Sequence, residues 1–145
     1  DVTLHAGPGR NAIGAMKFSP DGRKLAVGIG AAIGAWIRWG FSCVFNRYTD
    51  QLPMGTLLAN LIGGFLMEMV LAWMQLRSDF SPTLRLLLTT GLLGGLTTFS
   101  AFSGESFGLL MRQQYGWAVL HSALHVLGAL LMTALGFYLV HSAKS

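Results

Sequence analysis

The chain has 145 residues, of which 52% are hydrophobic and only 11% charged, with 19 glycines and a mean hydropathy of +0.54. Soluble domains carry about 25% charged residues, so this composition excludes a water-facing surface of ordinary size and fits one integral membrane domain. The net charge of +4 comes mostly from tail and loop residues, which suit lipid headgroups rather than nucleic acid. The single cysteine, Cys43, excludes an intrachain disulfide or a cysteine cluster for zinc or iron–sulfur, and is expected to be a lipid- or protein-packed thiol.

Residues 1–24 are polar, rich in Gly and Pro, and lack the order of a signal peptide. The run Met16 to Gly28 carries a Pro-Asp-Gly turn between alternating apolar positions and resembles one strand–turn–strand piece of a β-propeller repeat. One such piece cannot bury its face alone. The segment is therefore expected to be a remnant of an upstream fusion, mobile, or an extension of the first helix, with 25–145 as the membrane domain.

Leu25 to Phe45 is long enough to cross ~30 Å of hydrocarbon. Gly28, Gly30 and Gly34, with Ala31, Ala32 and Ala35, give it a small-residue face for close helix contact. Arg38, between Trp36 and Trp39, is either a snorkelling arginine in an aromatic belt or a structural or vestibule residue. Gly55 to Leu76 is the second span. Its Thr56, Asn60, Gly63 and Gly64 share one stripe at helical spacing, and Asn60 could simply hydrogen-bond a neighbouring helix. Glu68 is expected to face protein or water, because an ionised carboxylate deep in lipid costs at least ~2.5 kcal/mol.

Thr83 to Met111 is too long for one straight crossing without tilt or a break. Gly91, Gly94 and Gly95 weaken a helix there by roughly 1 kcal/mol each relative to Ala. Thr97, Thr98, Ser100, Ser103 and Glu105 follow, where a plain anchor would carry leucines. A break at bilayer depth is tolerated only under cover of protein or a cavity, and hydroxyls and aromatics beside it predict an ion or substrate path. Ala118 to Val140 is the fourth span, with His121, His125, Ala129 and Thr133 on one stripe. Each histidine is expected as a packed, hydrogen-bonded imidazole, and a metal site is not expected, because no carboxylate or cysteine completes the set on this helix. No P-loop, Gly-x-Ser-x-Gly elbow or carboxylate pair supports an enzyme. The four spans predict an all-α integral membrane protein with a break in the third helix.

Spans with these motifs resemble the Fluc or CrcB family of small fluoride channels, over about residues 28–137. The carriers are the Gly-rich first span ending in Arg38-Trp39, then Gly55-Thr-Leu-Leu-Ala-Asn60-Leu-Ile-Gly63. Gly94-Gly-Leu-Thr-Thr-Phe-Ser-Ala-Phe-Ser103 with Glu105 follows, and Met132-Thr-Ala-Leu-Gly136 is last. The resemblance implies passive, fluoride-selective export across the inner membrane of a bacterium, which relieves fluoride toxicity. It also implies an antiparallel, dual-topology homodimer with two pores and a structural sodium ion on its axis. By motif, Gly94 and Thr97 would offer backbone carbonyls to sodium. Phe99 and Phe102 would be the pore phenylalanines and Asn60 the pore asparagine, with Thr56, Thr133 and Ser100 along a polar track. Departures from the family pattern are Ala101 for the usual Thr, Ala129 for the usual Ser, and Glu68 for the usual Gly.

A fluoride pore must supply donors in sequence, since even a carboxylate-sized ion loses on the order of 20 kcal/mol on entering a low dielectric. Asn60 offers an amide NH₂, the hydroxyls offer O–H, and the phenylalanine rings carry a positive edge. Weak sites in series suit throughput. Two other readings stay open: a proton-coupled small-anion exporter relaying through Glu68, Glu105, His121 and His125, and a non-transporting membrane assembly subunit. Between the spans, Arg77 and Arg85 on one side balance Arg47 and Arg112 on the other, as insertion in both directions requires. Arg10, Lys17, Arg23 and Lys24 in the tail would bias that balance.

Overall fold

The computed structural model describes residues 22–47, 51–77 and 80–143. Its first two helices are α1 (Arg23–Phe45) and α2 (Met54–Leu76). The third passage divides into α3 and α4. Here α3 comprises an α-helical turn (Pro82–Leu86), a π-helical segment (Leu87–Leu93) and a last α-turn (Gly94–Leu96), and α4 is Phe99–Met111. The chain ends in α5 (Tyr115–Ser142). Among the described residues, four passages are long and apolar enough to cross a membrane, the third being Pro82–Met111. The expected spans are recovered with modest shifts. The last helix extends beyond Ala118–Val140 at both ends, because Tyr115, Trp117 and His141 are interfacial residue types that a purely apolar criterion leaves out. Helix α1 starts at Arg23, so Arg23 to Gly28 is helical and not the second strand of a turn. The rest of the tail, residues 1–21 with Arg10 and Lys17, lies outside the described residues.

Helix α1 packs chiefly on α3, and α2 chiefly on α5, with α4 folded back against α5. Ala59, Leu93 and Leu96 form the buried centre, with Phe41, Met67 and Val70 around it. Much of the remaining apolar surface faces outward, including Trp36, Trp39, Leu130 and Leu131, as lipid-facing helices require. Cys43 is exposed on α1.

The α1–α3 seam uses glycine for proximity. A Cβ added at Gly30 would lie 2.6 Å from the Leu87 carbonyl oxygen, and one at Gly95 would lie 2.5 Å from the Ala31 carbonyl oxygen. One at Gly34 would overlap the Leu92 carbonyl oxygen. Without a hydrophobic drive between helices in lipid, such close backbone packing is a principal source of association. The third-span glycines were expected to break the helix. They are helical here, because the contacts of this seam outweigh their weak propensity.

The break falls two residues later. Thr97 (φ −79°, ψ 152°) and Thr98 (φ −153°, ψ 123°) are extended, a conformation that suits β-branched residues. Thr97 N–H still closes a turn onto the Leu93 carbonyl at 3.0 Å. A continuing α-helix would next aim Thr98 N–H at the Gly94 carbonyl. Instead Thr98 N–H donates to Asn60 Oδ1 at 2.8 Å, and Asn60 Nδ2 donates to the Thr98 carbonyl at 3.0 Å. One side-chain amide from α2 thus takes both polar groups of Thr98. Thr98 then starts α4, its hydroxyl accepting from Ala101 N–H at 3.2 Å. Arg38 Nε donates to the Gly95 carbonyl at 3.3 Å, which gives that arginine a structural role at the break.

Two outcomes follow for stability. Gly34→Val should lower the melting temperature of the purified protein, since overpacking costs about 1–3 kcal/mol. Gly28→Ala, where an added Cβ meets nothing within 4 Å, should leave it unchanged. Asn60→Ala should speed hydrogen exchange at Thr98 N–H and cost about 1–3 kcal/mol, the penalty for a buried polar group left without a partner. Unchanged exchange at Thr98 would show that the amide clamp does not hold the break.

Candidate functional site

Two cavities flank α4. The first, about 350 Å³, is walled by Asn60, Thr97, Thr98, Phe99, Phe102, His125, Val126 and Ala129. The second, about 450 Å³, is walled by Pro53, Ala101, Gly104, Glu105, Gly108, Leu109 and Arg112. A chain of contacts joins their walls. The Phe102 ring stacks on His125 (4.7 Å between centroids, 26° between planes) and on His121 (5.6 Å, 24°). His121 Nε2 lies 3.4 Å from Glu105 Oε2, and Thr56, itself 3% exposed, donates its hydroxyl to Glu105 Oε1 at 2.6 Å.

The α4–α5 hairpin builds this cluster. Gln113 adopts φ 60° and turns the chain within three residues, so positions equidistant from the turn face one another. Ser106 pairs with His121 Nδ1 at 2.9 Å and with Ser122 at 3.4 Å, while Phe102 meets His125. A metal site was not expected, because no carboxylate or cysteine lies on the histidines' own helix. Glu105 arrives from α4, and one ligand atom from each of Glu105, His121 and His125 lies within 4.8 Å of the others. The short interval between the third and fourth spans carried that information, since a tight hairpin forces such pairs together.

The other residues singled out in the sequence are distributed as follows. Phe99 is 77% exposed and meets Phe102 edge to face, with centroids 5.4 Å apart and planes at 66°. Ser100 is exposed, its hydroxyl 3.2 Å from Thr98 Oγ1. Thr133 faces Gly64 of α2, where an added Cβ would sit 3.1 Å from its Oγ1, and it walls neither cavity. Gly94 is exposed and helical, beside the half-buried Thr97. Asn60 was expected either to offer its amide hydrogens to an ion or to hydrogen-bond a neighbouring helix. Both are engaged here, one by the Thr98 carbonyl and the other by His125 Nδ1 at 3.1 Å. Glu68 is half-buried about two turns along α2 from Asn60 and walls neither cavity, so it stands apart from Glu105 and the histidines.

Residues 25–137 match the family described as CrcB-like protein, Camphor Resistance (CrcB). The fluoride-specific ion channel FluC of Aromatoleum aromaticum is 54% identical over 113 residues, covering 78% of this chain and 86% of that protein. Its namesake in Cupriavidus taiwanensis is 50% identical over 114 residues, covering 79% and 90%. Its namesake in Pseudomonas putida is 49% identical over 119 residues, covering 80% and 94%. The family match spans the break, every residue given for the two cavity walls and the whole polar cluster. With four apolar passages and a match of that extent, this multi-pass membrane protein belongs to the CrcB-like family.

Proposed function

We infer that this chain is a fluoride channel, a passive and fluoride-selective pore of the bacterial inner membrane that lets the anion leave the cell and relieves its toxicity. The observation that carries the reading is the cavity at the helix break, walled by Phe99, Phe102, Asn60 and Thr97, in a chain whose relatives bear the name of fluoride-specific channels. The chemistry is conduction and not catalysis. An anion leaving water needs donors along its way, and ring edges attract it only weakly. Weak attraction suits a path that must also release the ion. Arg112, exposed at the rim of the second cavity, puts a positive charge where an anion would arrive. Thr56 keeps Glu105 oriented, and Ser100 and Thr133 complete the polar track in this reading.

The working unit we propose is an antiparallel homodimer with two pores. Phe99 and Ser100 are exposed at the broken passage, and a carbonyl that has lost its helical donor there, as at Gly94, cannot face lipid. A two-fold partner would cover them, and the loop arginines oppose insertion in neither direction. A sodium ion on the axis fits the donor set. The Gly94 carbonyl has lost its helical donor to Asn60, and Arg38 occupies only the neighbouring Gly95 carbonyl. Gly94 and Thr97 of each subunit would hold the ion, whose charge would stabilise carbonyls left without N–H partners. A proton-coupled exporter is the second reading, favoured by the proximity of Glu105 to His121. Fluoride flux that follows a pH gradient would select it.

Reconstituted in liposomes loaded with fluoride, the protein should release fluoride and retain chloride. Phe99→Ile or Phe102→Ile should cut fluoride efflux by at least about tenfold, or 1.4 kcal/mol, in a protein that elutes as the wild type does. Wild-type flux in both variants would leave those rings a packing role only. Cysteine-accessibility labelling of the termini should find the two subunits of a purified dimer on opposite faces, with a more even orientation in cells once residues 1–24 are removed. Two N-termini on one face would overturn the antiparallel arrangement and the sodium site on its axis.

A further inference from the structure

We propose that Glu105, His121 and His125 form a binding site for a zinc-type divalent transition-metal ion, clamped between α4 and α5. The site goes beyond conduction and does not depend on the fluoride reading. It begins with three orphaned atoms. Glu105 Oε2, His121 Nε2 and His125 Nε2 are all buried, and none has a hydrogen-bond partner among the described residues. The two histidines are 0% and 4% exposed. One buried polar atom left unpaired already calls for an explanation. Here one ligand atom from each of three residues lies within 4.8 Å of the others, which points to a common occupant.

A direct pair of Glu105 with His121 does not account for them. His121 Nε2 and Glu105 Oε2 lie 3.4 Å apart, yet the contact lacks the geometry of a hydrogen bond. That separation matches the edge of a tetrahedron around zinc, about 3.4 Å for bonds of about 2.0–2.1 Å. The surrounding contacts also suit ligands. The Thr56 hydroxyl donates to Glu105 Oε1 at 2.6 Å, which leaves Oε2 for the ion. Ser106 Oγ lies 2.9 Å from His121 Nδ1 and 3.4 Å from Ser122 Oγ. It can accept from Nδ1–H and turn its own hydrogen to Ser122, a contact that puts the His121 lone pair on Nε2. A carboxylate oxygen and an imidazole lone pair then face each other with no proton between them. A cation satisfies both.

His125 changes partner when the ion binds. The Asn60 amide is oriented by Thr98, whose N–H donates to Oδ1 and whose carbonyl accepts from Nδ2. The other Nδ2 hydrogen goes to His125 Nδ1 at 3.1 Å, so the metal-free ring carries its proton on Nε2. Ligation through Nε2 moves that proton to Nδ1, where it opposes the Asn60 N–H. One ordinary hydrogen bond is thus given up for a metal–nitrogen bond. Three protein ligands leave the fourth position to water. The ion enters through the first cavity, whose walls include His125 and carry no charged side chain among the described residues. Arg112 disfavours a cation in the second.

The test uses the untagged full chain in detergent, stripped of metal by a chelator and titrated with zinc chloride, then with cobalt as an optical probe. Zinc should bind saturably at one ion per chain, and cobalt should show the visible bands of a tetrahedral site. With isotope-labelled histidine, magnetic resonance should find His125 passing from Nε2–H to Nδ1–H as zinc is added. His121→Gln and Glu105→Gln, each eluting as the wild type does, should both weaken zinc binding by at least about tenfold. The absence of saturable zinc binding, which would leave water as the occupant, overturns the proposal. So does binding that survives both ligand variants, or a His125 tautomer that zinc leaves unchanged. A chain that binds zinc in this way but passes no fluoride overturns the channel reading alone.

Discussion

The structure depends on one exchange of hydrogen bonds between Asn60 and Thr98. A helix interrupted inside a bilayer leaves N–H and C=O groups that no water can satisfy, each costing several kcal/mol. Asn60 presents one acceptor and one donor in the same geometry as a peptide group and takes both Thr98 groups. Its second amide hydrogen then goes to His125, so the break, α2 and α5 share a single side chain. The side chain that permits the break therefore also fixes the face that α5 turns toward it.

The same economy governs the seam between α1 and α3. Gly30, Gly34, Gly91 and Gly95 bring two backbones within van der Waals reach, and Arg38 crosses that seam to cap a carbonyl. The π-helical stretch Leu87–Leu93 sits against this contact. A wider turn shifts the register of the residues that follow, and π-turns are often found near functional positions. Here the shift comes just before the extended threonines.

The membrane spans were legible in the sequence because twenty-odd apolar residues in lipid have few alternatives to a helix. The third-helix break was legible as an event but not in position. Helix propensities measured in water mark Gly91, Gly94 and Gly95 as weak points, whereas a dense helix contact keeps them helical and passes the break to Thr97 and Thr98. The cavity residues Phe99, Phe102 and Asn60 were found from their motif. The meeting of Glu105 with His121 and His125 was legible only as part of an alternative relay that also included Glu68, because stripe analysis treats one helix at a time and this cluster belongs to two. The use of both Asn60 hydrogens was likewise beyond reach, since it requires knowing where the Thr98 carbonyl points.

Cutting one passage into α3 and α4 also changes its field. An unbroken helix of this length would carry its partial charges only at its two ends, near the headgroups. Divided at Thr97 and Thr98, it brings a carbonyl-rich, negative end of α3 and an N–H-rich, positive end of α4 together at mid-membrane. The first favours a cation and the second an anion, within a few ångströms and with no ionised side chain contributed by either helix end. The Thr98 hydroxyl takes the Ala101 N–H, leaving the rest of the α4 first turn, beside Phe99, to present its positive end to the cavity. Straightening two residues would therefore erase both poles at once while leaving every side chain in the protein intact.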